Sequence, residues 1–177
     1  EIIFNGYQNL KSIQERIKPL LPLKLYDENR DARFSFKDYD EEIIKSKREL
    51  SDYLYSNATA LLNTGRYKED FRKAFDQFSY LNDINPNYKD TQLKLEEAHD
   101  KGLDYVQVVM SNDSEQIVPN RLEQDLLNFN TYGLNDLWTV YHTNALENIK
   151  YDYEMQVAFR NINISPEQVT EKQISKE

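Results

Sequence analysis

Cysteine is absent from the 177 residues, and its absence removes disulfides, thiolate zinc sites and thiol nucleophiles together. The compartment stays open, because a cysteine-free chain can fold under oxidising or reducing conditions. Glycine is scarce: Gly6, Gly65, Gly102 and Gly133 are the only four and each stands alone, so no glycine-rich loop is available to cradle a phosphate. With only five prolines as well, composition favours regular elements over linkers and low-complexity segments. No apolar run approaches the roughly 18 residues that a membrane-spanning helix requires. Positive charge is also in deficit, with 22 Lys and Arg against 31 Asp and Glu. The densest basic stretch, Lys45, Lys47 and Arg48, lies among Glu41, Glu42 and Glu49 and reads as a solvated helix face. Nucleic acid is therefore disfavoured as a partner at a net charge of −9.

What is present is a core-forming inventory. The chain is 39% hydrophobic, with 13 Tyr and 8 Phe, enough for one medium domain or two small ones. It opens on Glu1 without an initiator Met and closes on the charged stretch Glu171 to Glu177. That reads as a fragment or a processed form, from which a signal or a lipid anchor would have been removed.

Periodicity organises the first hundred residues. Ile3, Phe4, Tyr7, Leu10, Ile13 and Ile17 recur at helical spacing and predict a first helix over residues 3–18, ended by Pro19 and Pro22. Leu20 to Tyr26 is apolar without a helical period, an extended stretch or a buried loop, and Asp27 to Asp31 is a polar turn. Asp38 and Glu41 form a capping pair before a helix of about 25 residues, with Ile43, Ile44, Leu50, Leu54, Ala58, Leu61 and Leu62 on one face. Gly65 is expected to end it in the left-handed conformation. The stripe resumes with Phe71, Ala74, Phe75, Phe78, Leu81 and Ile84 and stops at Asn85-Pro86, which makes two antiparallel helices. Asn87 with Asp90 caps a shorter helix carrying Leu93, Leu95, Ala98 and Leu103 and closed by Gly102.

At Asp104 the period changes to two. Val106, Val108 and Met110 predict a strand, and Pro119, Leu122, Leu126 and Phe129 predict a helix over residues 119–132 up to Gly133. Leu134 to His142 fits either element and is read as strand. Tyr151, Tyr153, Met155, Val157 and Phe159 alternate with Asp152, Glu154 and Gln156, as in a half-exposed antiparallel strand. The register shift to Ile162 and Ile164 implies a bulge near Asn161, and Ser165-Pro166-Glu167 begins a last, truncated helix. The expected fold is α+β, with a helical region over residues 1–103 and a small α/β domain with a few-stranded sheet over residues 104–177.

No enzyme template fits these residues. His99 and His142 are the only histidines, and neither belongs to a metal-binding doublet; they read as a helix-face and a strand-end residue, and no catalytic residue, metal or cofactor is assigned. Asp83 to Asn87 imitates the start of a calcium loop, but Pro86 interrupts it and Lys94 stands where a bidentate acid belongs, so it is a turn. Three Asn-X-Ser/Thr sequons, at Asn57, Asn112 and Asn163, carry no weight in an Asn-rich chain. Trp138, Tyr141, Tyr151 and Tyr153 are read as core rather than as an aromatic binding patch.

One stretch has internal order. Ala58, Gly65 and Tyr67, followed by Ala74, Phe78 and Pro86, resemble a tetratricopeptide helix–turn–helix unit whose second helix is one turn longer than usual. The resemblance covers residues 51–103. It implies a protein-binding surface on the groove side of helices 39–64 and 89–102, with Asn57, Asn63, Arg66 and Tyr67 as candidate partner-binding residues. In element order, the tetratricopeptide-like part followed by a small α/β domain resembles accessory envelope lipoproteins of Gram-negative bacteria. That implies a non-enzymatic scaffolding module of an outer-membrane assembly or secretion complex, periplasmic or anchored through a missing N-terminal lipid. Two alternatives stand beside it: a ligand-binding or enzymatic α/β domain using Asp113, His142 and Glu154, and a cytoplasmic tetratricopeptide adaptor, although the acidic helices advertise no carboxylate clamp.

Overall fold

The computed structural model describes residues 1–26, 30–114, 116–119, 121, 122, 125 and 133–161. The chain divides into two compact units, Glu1–Gly102 and Leu103–Glu177. The first is helical and the second holds a sheet, an α+β arrangement.

Among its described residues, the first unit contains α1 (Ile2–Ile17), a short 3-10 turn (Lys18–Leu20), α2 (Asp40–Thr64), α3 (Lys68–Ile84) and α4 (Thr91–Gly102). The long helical periods of the sequence become helices because each has an apolar stripe to bury. Ala58 and Leu62 of α2, Ala74 and Phe78 of α3 and Ala98 of α4 form one buried cluster, flanked by Tyr55, Leu61, Phe71, Phe75 and Leu95. The three alanines are fully buried. Side chains this small let the backbones approach closely enough for Phe78, also fully buried, to fill the space between them. A second cluster of Leu50, Leu54 and Leu81 receives Phe4, the single buried side chain of α1.

Several sequence expectations are corrected here. Gly65 is not left-handed: its φ is −56° and its ψ 140°. A Cβ there would lie 2.7 Å from the Leu61 carbonyl oxygen and 2.9 Å from the Phe71 ring, so glycine is required by crowding at the α2–α3 turn and not by torsion. The Asp38–Glu41 capping pair is not formed. Asp38 accepts from the Asp40 N–H, two residues on, at 3.0 Å, and α2 begins after Tyr39 without a side-chain cap. The effective cap is at α3, where the Asp70 carboxylate accepts from the N–H groups of Arg66 (3.1 Å) and Tyr67 (3.3 Å), which holds its pKa below the ordinary value. Ahead of α4, Asp90 accepts from the Tyr55 hydroxyl and the Thr91 hydroxyl donates to the Tyr88 carbonyl. Ile44 and Leu93, placed on buried faces by their spacing, are exposed. Of the two readings offered for the stretch after α1, the extended one holds for Leu21 to Leu25, which is largely exposed: Leu25 N–H donates to Arg30 and Ala32 N–H to Leu23, either side of the Lys24–Asp31 bridge.

The second unit contains β1 (Asp104–Asn112), β2 (Thr139–His142) and β3 (Tyr153–Phe159) in the order β2-β1-β3. Both pairings are parallel, which corrects the antiparallel reading of β3. An exposed alternating face marks a strand as half-solvated and carries no direction, and direction here follows from the connections. The β1 to β2 connection is long enough to return the chain to the starting end of the sheet, and the β2 to β3 connection only carries it across β1, because β2 ends beside Gln107 and β3 begins beside Val106. Val106 and Val108 are buried in the central strand. Leu134 to Trp138 is turn rather than strand, because the Asp136 side chain accepts from the Trp138 N–H at 2.8 Å and Asn135 from the Tyr141 N–H at 3.0 Å. Most of the helix expected over residues 119–132, the bulge beyond Asn161 and the last helix lie outside the described residues; Arg121, Leu122 and Asp125 are helical.

Candidate partner-binding surface

The four residues singled out from the sequence occupy two places. Asn57 is half-buried and donates through Nδ2 to Gln77 Oε1 at 2.7 Å, so it ties α2 to α3. Asn63, Arg66 and Tyr67 are exposed around the α2–α3 turn. Six residues of helix turn Asn63 by roughly 240° from Asn57, onto a different side of α2. The structure therefore brings the last three together and leaves Asn57 among the packing contacts.

A larger surface comes from α1, which sequence periodicity had assigned to burial. Ile2 is 88% exposed, Ile3 66%, Leu10 45% and Ile13 43%. At 100° per residue these four fall within an arc of about 100°, adjacent to but distinct from the Phe4 side that enters the core. Ile3 continues this arc into a groove of about 200 Å³ lined also by Phe4, Leu50 and the exposed Tyr53, with Glu1 and Glu49 at its rim. This exposed apolar arc ends in a groove bordered by two acids, Glu1 and Glu49. The signal was present in the sequence as an unusually wide stripe on α1; periodicity alone could not say which part of it would find cover.

The other end of α1 makes a polar cavity of about 450 Å³ with the segment entering α2. Gln14 holds that segment by two bonds, accepting from the Lys37 N–H at 2.7 Å and donating to the Lys37 carbonyl at 3.0 Å. Lys11 pairs with Asp40 at 2.5 Å and Lys37 with Glu42 at 2.8 Å. Each hydrogen-bonded pair raises its lysine pKa, and Lys37 lowers that of Glu42. Lysines and carboxylates balance around this cavity, and the pairs fasten α1 to the start of α2.

A third cluster anchors the α3–α4 turn. Tyr88 donates to Asp52, and Tyr55 donates to Asp90 at 2.5 Å. Lys89 lies 3.4 Å from Asp52, with its ammonium over the rings of Tyr55 (4.4 Å) and Tyr88 (4.8 Å). The tyrosine hydroxyls hold the pKa values of Asp52 and Asp90 below the ordinary range, and the Asp90 bond raises that of Tyr55. Asn87 and Lys89 are both left-handed, with φ of 61° and 48°, and these side-chain ties hold the turn in that conformation.

In the second unit, Asp113, His142 and Glu154 are not assembled. His142 and Glu154 both neighbour Gln107, on opposite sides of β1, and are two strand spacings apart, about 10 Å. Asp113 lies beyond the end of β1, roughly 20 Å along the strand direction from Gln107. His142 Nδ1 is 3.0 Å from the Tyr151 hydroxyl, which accepts from the Leu146 N–H at 3.1 Å, so this histidine closes the loop between β2 and β3. His99 packs against Phe75. Among the described residues no group of His, Asp and Glu has metal-binding geometry, and no helix is long and apolar enough to cross a membrane.

No protein-family model, curated protein or solved structure matches this chain.

Proposed function

We propose that the chain is a non-enzymatic protein-interaction module in which the helical unit docks another protein through the apolar arc of α1. The observation that carries this reading is the exposure of Ile2, Ile3, Leu10 and Ile13 on a helix otherwise fixed by a single core residue, Phe4. Four large aliphatic side chains held on a regular helix represent several kcal/mol of uncovered apolar surface, at about 1.5–3 kcal/mol for each fully buried. A partner helix or apolar groove recovers that free energy. Asn63, Arg66 and Tyr67, exposed at the α2–α3 turn, are the second contact region in this reading. The order of a tetratricopeptide-like hairpin and a small sheet domain supports an accessory role in a bacterial envelope complex, with other proteins as partners.

Site-specific photo-crosslinking in the source cell tests it. A probe at Ile3 or Ile13 is expected to give a discrete adduct with another protein, lost on Leu10→Asp; a probe on the exposed far side of α2, at Arg48, gives none. Recovery of only the uncrosslinked chain from both α1 positions sinks the proposal. Fractionation decides the location, since enrichment with envelope membranes is expected and a purely cytoplasmic distribution counts against the envelope role.

A further inference from the structure

Among the described residues, the sheet of the second unit has an open side. Among the described residues β3 pairs with β1 and with no other strand. Its first four residues are all exposed, Tyr153 at 61% and Met155 at 44%. The Phe159 carbonyl accepts from the Asp113 N–H at 2.9 Å, so the polar backbone groups of Phe159, and by alternation those of Val157, Met155 and Tyr153, point towards β1. Those of Glu154, Gln156 and Ala158 point the other way. Such a row is a template for another strand, and β3 carries no proline and no lysine along it to discourage pairing.

We propose that this edge pairs with the β3 edge of a second copy of the chain, antiparallel about a two-fold axis at Gln156. Opposite residues of an antiparallel pair share a face, so the apolar sides of two copies coincide only when paired residue numbers sum to an even value. Centred on Gln156, Tyr153 lies opposite Phe159 and Met155 opposite Val157, each pairing occurring twice. The strand is thus self-complementary in its apolar pattern. Shifting the axis to Met155 sets Arg160 against Lys150, and shifting it to Val157 sets Tyr153 against Asn161 and loses the aromatic pair. The Gln156 centre also makes Gln156–Gln156 and Glu154–Ala158 the hydrogen-bonded pairs, the positions whose backbone groups face outward. Asp152, just before the strand, is turned towards β1: its Oδ2 accepts from the Tyr105 N–H at 2.9 Å and its own N–H donates to the Tyr105 carbonyl at 2.9 Å. The result is a continuous six-stranded sheet across the two-fold axis, an isologous interface.

The absence of native cysteine makes the register directly readable. A hydrogen-bonded antiparallel pair brings its Cα atoms to about 5.5 Å, within the disulfide range. Full-length Gln156→Cys is therefore expected to oxidise to a covalent dimer, whereas Glu154→Cys, which faces Ala158 of the other copy, remains mostly uncrosslinked. By sedimentation equilibrium across a concentration series, the unmodified chain is expected to reach twice its 21.1 kDa mass. Gln156→Lys, which opposes two ammonium groups at the axis, is expected to stay at the single mass with an unchanged far-ultraviolet circular dichroism spectrum. A chain that is monomeric at every concentration overturns the proposal, as it would if a different protein or another segment of the chain took this edge. Equal cross-linking of the two cysteine variants overturns the register. The inference is independent of the role given to α1: Leu10→Asp should leave the Gln156→Cys cross-link intact.

Discussion

The two units stabilise themselves by different means. The helical unit buries side chains from all four of its helices in two clusters, with Ala58, Ala74, Phe78, Leu81 and Ala98 fully enclosed. In the second unit the buried apolar residues among those described are Leu103, Val106 and Val108, and the sheet is held chiefly by its ladders and by loop ties such as Tyr151 to His142. The difference follows from geometry. A three-helix contact surrounds a side chain with neighbours, whereas a three-stranded sheet covers only its central strand along the edges and leaves β3 half-open.

The largest expected effect that sharpens this comparison is Phe78→Ala, which empties the centre of the helical core and should cost about 3–5 kcal/mol in chemical denaturation. Val108→Ala, the corresponding change in the sheet, removes less buried surface and should cost about 2 kcal/mol or less. Equal losses would break the contrast. An intermediate effect is expected at Gly65. Alanine there meets the Leu61 carbonyl oxygen and should destabilise by about 1–3 kcal/mol. Asparagine, which tolerates left-handed backbone well, should do no better than alanine, because the constraint is space. Rescue by Gly65→Asn would show that torsion matters instead.

The smallest effect is electrostatic and falls on the helical unit. Asp52, Asp70 and Asp90 have folded pKa values lowered by their hydrogen bonds to Tyr88, to the Arg66 and Tyr67 amides and to Tyr55, respectively. A lowered carboxylate pKa means that the unfolded chain binds protons first. The associated stability is fully present above the ordinary aspartate pKa and is lost as pH falls through the lowered folded values. These side chains are exposed, so the loss is modest. Near-ultraviolet circular dichroism of the tyrosines at the α3–α4 turn should report it, and Asp52→Asn with Asp90→Asn should flatten the acid limb.

Much of the helical unit was legible because its signals are local and periodic. Ala58, Ala74 and Phe78 stood out as small and aromatic positions of a helical hairpin, and all three are fully buried. The caps were less legible. Asp38, Asp70 and Asp90 are chemically alike, yet Asp38 accepts from the Asp40 N–H, Asp70 from the Arg66 and Tyr67 N–H groups, and Asp90 from the Tyr55 hydroxyl of α2, a partner distant in the chain. The direction of β3 was not legible at all, since alternation in Tyr153 to Phe159 is the same for parallel and antiparallel neighbours. The candidate surface was half visible: α1 was recognised as amphipathic, but Ile3, Leu10 and Ile13 looked no different from Phe4 until the core was seen to admit only the latter, and Ile2 lay outside the stripe.

The amino-acid sequence by itself determined the four helices of the first unit and the strands β1 and β3, because helical and strand periods are properties of neighbouring residues, and it set the acidic charge and the absence of thiol chemistry. Tertiary structure alone decided that Gly65 is needed for space, that the sheet is parallel, and that α1 turns one residue inward and leaves four outside. Those outcomes depend on which distant atoms compete for the same volume or the same hydrogen bond, and a local pattern carries no record of that competition.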